Sequence, residues 1–209
     1  MLRIALVLRS GGEYTTKHVE VLAKQIRNNL PEANILCLSD RPVKLVETMQ
    51  LYYHWPTWFA KMELFRPDIK GDLLYFDLDT VVLGNLRRLA DVTTLTVLRD
   101  FYRDGGRKPE GIGSGLMFLP EECRGEVWDR WLTNCRREIP KLSSRGLGDQ
   151  AFLETLWLGK ADYWQDQVPE EVVSWKVHCK DGVPGRARVV CFHGKPRPWQ
   201  TEMFKGLYE

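Results

Sequence analysis

The sequence predicts an α/β fold: a single domain on an open, mixed sheet with helices on both faces. Two stretches and the length carry that expectation. Leu73-Leu74-Tyr75-Phe76-Asp77-Leu78-Asp79-Thr80-Val81-Val82-Leu83 opens with four apolar residues that do not alternate with polar ones, then returns to apolar residues after two carboxylates. A strand with one wet face alternates, so an unbroken run reads as a strand buried on both faces in the middle of a helix-covered sheet. The opening of the chain reads as strand, helix, strand, a βαβ unit. With 209 residues the chain is long enough for one sizeable core, and 1–209 is read as one domain.

Taken in order, residues 2–8 form the first expected strand, stopped by Arg9-Ser10-Gly11-Gly12. Those glycines permit a tight turn or close approach to a ligand. Neither G-x-G-x-x-G nor G-x-x-x-x-G-K is present, so no phosphate-cradling glycine loop is predicted. Val19, Leu22, Ala23, Ile26 and Leu30 recur at helical spacing and Pro31 ends the run. Residues 33–38 read as a second parallel strand, 39–56 as irregular, and 58–65 as a short helix ending before Pro67. After the central run, 85–89 suggests a short helix or turn, and 94–98 a strand ending in Arg99-Asp100. Residues 103–113 read as a glycine-rich loop able to close over a ligand, and 114–119 as a strand. Val127, Trp128, Trp131, Leu132, Cys135 and Ile139 mark an amphipathic helix. Residues 140–148 read as loop, 151–157 as a helix with Asp149 as its N-cap, 161–164 as a weak strand and 187–192 as a strong one.

Composition narrows the classes. A net charge of +2 calls for no nucleic-acid partner. Eight tryptophans and seven tyrosines suit a core, and their flat faces also suit sugars and nucleobases. Five cysteines (Cys37, Cys123, Cys135, Cys179, Cys191) without a Cys-x-x-Cys indicate neither a zinc site nor a disulfide scaffold, and a reducing, cytoplasmic setting is expected. The apolar start is too short for a secretory signal. No run approaches the ~20 apolar residues that span a membrane.

The chemistry concentrates at two strand ends. In open α/β sheets ligands bind outside the carboxyl ends of the strands. Asp77 and Asp79 stand at such an end, and in an extended segment both face one side while Leu78 faces the other. Two acids on one side suit a hard divalent cation, Mn²⁺ or Mg²⁺, which also holds substrate phosphates; the structural alternative is a pair that caps a turn. The strand at 187–192 delivers His193-Gly194-Lys195-Pro196-Arg197-Pro198-Trp199 in the same manner. His193 is a candidate third ligand, and Lys195 and Arg197 supply positive charge beside a diphosphate. Lys61 is either a phosphate contact just ahead of the central strand or a surface lysine.

These residues resemble the GT-A glycosyltransferases, and most of all the glycogenin and lipopolysaccharide galactosyltransferase group, family eight. The resemblance rests on Phe76-Asp77-Leu78-Asp79-Thr80, Gly113-Ser114-Gly115, Gly148-Asp149-Gln150 and His193 with Lys195 and Pro198-Trp199, in that order along nearly the whole chain. It implies a GT-A type, Rossmann-like sheet, with residues 1–100 as the nucleotide-binding half and 101–209 as the acceptor half. It also implies a nucleoside-diphosphate sugar donor, usually a UDP-sugar, with Mn²⁺ and retention of configuration. Asp77, Asp79 and His193 would hold the metal. Asp149 and Gln150 would be catalytic. Leu8, Arg9, Lys61, Phe76, Leu78, Arg99, Asp100, Ser114, Gly194, Lys195 and Arg197 would contact the donor. The closing motif departs from the family's His-x-x-Gly-x-x-Lys-Pro-Trp by compression, so either Lys195 or Arg197 would take the phosphate lysine's place. The expected acceptor is a saccharide, with a modified nucleic-acid base as an alternative.

Two rivals accompany this reading. Asp77-Leu78-Asp79-Thr80-Val81 also fits the first motif of haloacid-dehalogenase-type phosphatases, with Asp77 as nucleophile and Lys141, Asp149 and Glu154 in later roles. The other rival is a carbohydrate- or nucleotide-binding module without turnover. The sequence assigns no oligomeric state.

Overall fold

The computed structural model describes residues 2–101 and 111–209. Its strands are β1 (Arg3–Leu8), β2 (Ile35–Ser39), β3 (Glu47–Gln50), β4 (Leu73–Phe76), β5 (Thr80–Val82), β6 (Thr96–Arg99), β7 (Ile112–Leu119), β8 (Asp162–Tyr163), β9 (Val172–Ser174) and β10 (Val189–Cys191). Its α-helices are α1 (Thr16–Asn29), α2 (Arg87–Ala90), α3 (Glu121–Ser143), α4 (Asp149–Trp157), α5 (Trp164–Gln167) and α6 (Trp175–His178), and a 3-10 helix runs over Thr57–Phe65. The main sheet is ordered β3-β2-β1-β4-β7-β6-β8. β3, β2, β1 and β4 are mutually parallel; β7 runs antiparallel to β4 and to β6. A small sheet, β5-β10-β9, stands apart.

The predicted fold class is the one observed: a mixed sheet in a single domain, with an apolar core on each face. On one face α1 packs Val19, Leu22, Ala23 and Ile26 against Ile4, Leu6, Leu74 and Phe76. On the other, the 3-10 helix, α3 and α4 bring Phe59, Trp131 and Phe152 against Ala5, Leu73, Tyr75 and Met117. β4 is buried on both faces, as its lack of alternation requires.

The central run breaks where the sequence suggested continuity. β4 ends at Phe76; residues 77–79 turn, with the Thr80 amide donating to the Asp77 carbonyl at 3.0 Å, and β5 leaves for the small sheet. Leu78 still packs in the core, but a turn rather than extended alternation sends it there.

Other boundaries also moved. Residues 47–50, read as irregular, are an edge strand whose largely exposed side chains carry no apolar pattern. Residues 112 and 113 extend β7 rather than a loop, and the remainder of that loop reading, 103–110, lies outside the described residues. α3 reaches Ser143, past Pro140, into the stretch read as loop. Gly148, not Asp149, is the N-cap of α4. The 161–164 strand is only two residues long and passes into α5. The short β9 and α6 were not anticipated.

A register jump shapes the site. Val97 of β6 faces Met117, yet Leu98 faces Gly113, so β7 bulges between them. Bulges of this kind re-aim side chains near ligand sites. A second device anchors the 3-10 helix. The buried Glu63 carboxylate accepts from the Tyr52 and Tyr53 amides at 2.8 Å each and from the buried Arg66 guanidinium at 2.9 Å. Arg66 also donates to the Gln50 carbonyl at 2.7 Å and to Asp68 at 2.7 and 2.9 Å. Removing one partner of a buried ion pair strands the other's charge. Arg66→Ala is therefore expected to cost about 3–5 kcal/mol, read as a lower urea midpoint at unchanged slope.

Candidate active site

The carboxyl ends of β1, β4 and β6 and the amino end of β7 open onto one cavity of about 1190 Å³. A buried ammonium lies at its wall. Lys61 Nζ, on the 3-10 helix, sits 3.1 Å from Asp77 Oδ1 and 3.1 Å from Asp149 Oδ2. The Asp149 contact is an ion pair without hydrogen-bond alignment. Lys61 also donates to the Ser114 hydroxyl at 3.1 Å and its carbonyl at 3.3 Å, atoms that the β7 bulge presents. Burial alone would lower the Lys61 pKa; the charges of Asp149 and Asp77 outweigh it and raise the value. The reading of Lys61 as a surface lysine is thus set aside.

Asp77 is fixed from other sides as well. The Tyr75 hydroxyl, two residues back on the same face of β4, donates to Asp77 Oδ1 at 2.5 Å, and the Asp77 amide donates to the Gly115 carbonyl at 2.8 Å. A Cβ on Gly115 would stand 3.2 Å from Asp77 Oδ2, which is why a residue without a side chain belongs there.

Asp79 is buried and accepts from Tyr14 Oη at 3.1 Å and from the Arg197 guanidinium. Arg197 also donates to Glu13 Oε2 at 3.0 Å and lies over the Tyr14 ring. Burial and the neighbouring Asp77 charge push Asp79 up to about 7; Arg197 and Tyr14 offset only part of this. Asp149, fully enclosed, is also raised by burial, against the pull of Lys61.

His193 lines the same cavity. Its Nε2 lies 2.6 Å from Ser174 Oγ and its ring stacks on Phe101 at 5.8 Å. Burial and then the Lys176 charge lower its pKa, so the imidazole is neutral at neutral pH. Among the described residues, no three of His, Cys, Asp and Glu gather into a group that would hold a metal ion. The three expected ligands share a cavity without closing on one point.

Of the remaining expected site residues, Arg9, Leu78, Arg99, Asp100, Ser114, Gln150 and Gly194 line the cavity. Leu8 and Phe76 do not: both are buried in the core on the α1 face, where strand alternation directs them. Lys195 and Arg197 part in space. Gly194, at φ +72°, turns the chain so that Lys195 is exposed to solvent while Arg197 enters the cavity. The phosphatase set does not assemble: Lys141 pairs with Glu138 on α3 at 3.1 Å and is not part of the cavity lining. Sequence reading missed Tyr14, Tyr75, Glu13 and Ser174. Tyr75 alone had a signal, its i, i+2 relation to Asp77 on a strand.

No protein-family model matches the chain, and no curated protein matches it in sequence. Solved structures do. The glycosyltransferase GlyE of Streptococcus pneumoniae TIGR4 superposes with a TM-score of 0.77 at 13% identity, over 100% of this chain and 61% of GlyE. The galactosyltransferase LgtC, solved in complex with donor and acceptor sugar analogues, superposes with a TM-score of 0.66 at 14% identity, over 100% of this chain and 95% of LgtC. The bifunctional glycosyltransferase WbbM gives 0.68 at 11% identity, over 99% of this chain and 48% of WbbM. The chain has the GT-A glycosyltransferase fold. It spans about three fifths of GlyE and about half of WbbM. Among the described residues, no helix is long and apolar enough to cross a membrane.

The raised Asp79 has a consequence for stability. Below pH 3.8 the carboxyl is protonated whether the chain is folded or not. As pH rises from 3.8 to about 7 the unfolded chain loses the proton first, so stability falls through that window and stays low above it. Asp79→Asn is expected to be more stable than wild type at pH 8, with the difference shrinking as pH falls towards 4. Urea titrations of both proteins across this range check it.

Proposed function

We propose that this protein is a glycosyltransferase that moves a sugar from a nucleoside-diphosphate donor, a UDP-sugar by family resemblance, to an acceptor hydroxyl with retention of configuration. The observation that carries the proposal is the meeting of Asp77, Asp79, Lys61, Asp149 and Arg197 around one cavity at the strand ends of a GT-A fold. Such cavities are where open α/β sheets bind nucleotides.

Breaking the bond between the anomeric carbon and the phosphate leaves negative charge on the departing diphosphate. Preorganised cations that meet developing charge lower the barrier. Arg197 is the guanidinium placed to do so: it is oriented by Asp79, Glu13 and the Tyr14 ring, leaving little reorganisation at the moment of transfer. Lys61 acts as a positioning group, holding Asp77 and Asp149 in register. Asp149 and Gln150, in the first turn of α4, are the groups assigned to the transferred sugar.

Charge supports a divalent ion at the acid pair. Among the described residues, the lining brings together Glu13, Asp77, Asp79, Asp100, Asp149 and Glu154 with Arg9, Lys61, Arg99 and Arg197, and Lys61 and Arg197 are already paired with carboxylates of that set. A diphosphate brought against Asp77 and Asp79 meets like charge, which a divalent ion between them would offset. The oxygen donors of Asp77 and Asp79 suit Mn²⁺ or Mg²⁺, which when bound would act as a Lewis acid on the phosphate oxygens.

The test is a panel of nucleotide sugars incubated with the protein and Mn²⁺, with released nucleoside diphosphate as readout and a generic phosphate ester alongside. Release from one donor, reduced by EDTA, is expected. Hydrolysis of the ester alone would reinstate the phosphatase. Arg197→Ala is expected to slow release by 10²–10³, about 2.7–4 kcal/mol of barrier. Unchanged release by that variant removes Arg197 from its assigned part.

A further inference from the structure

We infer that Trp58 is the floor of the acceptor subsite, and that it receives a pyranose through ring stacking. The inference rests on the glycosyl-transfer reading above and names the acceptor class for that site.

Trp58 is 54% exposed, unusual for the most buriable of flat side chains, and it lines the cavity rather than a convex surface. Its seat is constrained. A Cβ on Gly148 would fall 3.2 Å from Trp58 Cβ, Cδ2 and Cε3, so the indole lies directly against the bare Gly148 backbone. Thr57, just before it, holds φ +49°, in the left-handed region that a β-branched residue occupies only when its surroundings enforce it. One neighbour of this pair is Asp149, immediately after Gly148. The other is Lys61, one turn along the 3-10 helix, and the two are in contact with each other. A ring on the indole is therefore adjacent to the group assigned to the transferred sugar.

The surroundings choose the ring. Leu147 and Leu158, each 41% exposed, extend the apolar floor along the cavity. Gln150, Glu154 and Thr155 border it with groups that pair with hydroxyls. A pyranose presents one flat C–H face and a rim of hydroxyls, which matches an indole bordered in this way. A nucleic acid presents bases that would stack equally well, but also phosphates that require lysine or arginine. The stretch from Gly146 to Leu158 contributes two carboxylates to the lining, Asp149 and Glu154, and no basic residue.

The experiment separates the acceptor from the donor. Saturation-transfer NMR with maltose, cellobiose and lactose, in the presence of UDP and Mn²⁺, reads acceptor binding without turnover; calorimetry reads UDP. Wild type is expected to bind at least one disaccharide and to prefer it to a short DNA duplex. Trp58→Ala is expected to weaken disaccharide binding, or raise the acceptor KM, tenfold or more, with the UDP Kd within twofold of wild type. Trp58→Phe, which keeps a ring face, is expected to recover most of the loss. Disaccharide affinity unchanged in Trp58→Ala overturns the inference, as does preference for DNA, failure of Trp58→Phe to recover binding, or UDP binding with no disaccharide bound. A wild-type protein that binds no nucleoside diphosphate overturns the glycosyl-transfer reading itself, and the subsite with it.

Discussion

A single buried ammonium holds this site together. Taking Lys61 out of water without partners would cost several kcal/mol, and the fold meets that cost with Asp77, Asp149 and the bulged Ser114. These partners come from three separate stretches of chain, so the ion cannot be satisfied until all of them converge. The 3-10 helix that carries Lys61 is in turn fixed from below by Glu63 and Arg66. The arrangement links sequence to geometry directly: a charged residue in an apolar turn forces distant elements to a common point.

Asp79 keeps an elevated pKa even with Arg197 on it, because burial and Asp77 act in the same direction. Groups that the fold holds at a disadvantage are characteristic of places where a ligand supplies what is missing. Gly115 and Gly148 serve the same end in different ways, one leaving room for a carboxylate and the other for an indole.

How much of this was legible in the sequence depended on burial. β4 announced itself because both its faces are covered, and α1 because one of its faces is. β3 was invisible because an edge strand with mostly exposed side chains has no reason to be apolar. The split of the central run into β4 and β5 was hidden because strands in both sheets are buried on both sides; only the turn at 77–79 separates them. The glycine- and serine-bearing stretch from 140 read as loop, yet α3 runs through Pro140 to Ser143 before it ends. At the site, the acid pair was readable because it stands at the end of an apolar run; Lys61 had two open readings, and Asp149 came in only through the family resemblance. The distinction between Lys195 and Arg197 was not readable, because it depends on the path of the chain after Gly194 and on Arg197 meeting Glu13 and Asp79, which lie far off in sequence. Leu8 and Phe76 were placed by motif proximity, and strand alternation put them on the other face.

The small β5-β10-β9 sheet has a bearing on how the protein assembles. β5 follows immediately from the central strand, whereas β10 belongs to the last part of the sequence, and the two pair antiparallel. Closing so long a loop is slow and entropically costly, and it comes after local pairings such as β1 with β2 are available. This pairing, the one that brings His193 and Arg197 over the acids, has the high contact order that slows folding relative to local pairings. The burial that raises Asp79 therefore depends on a contact between distant parts of the chain, so a change that loosens the β5–β10 pairing would also return this carboxyl towards its ordinary acidity.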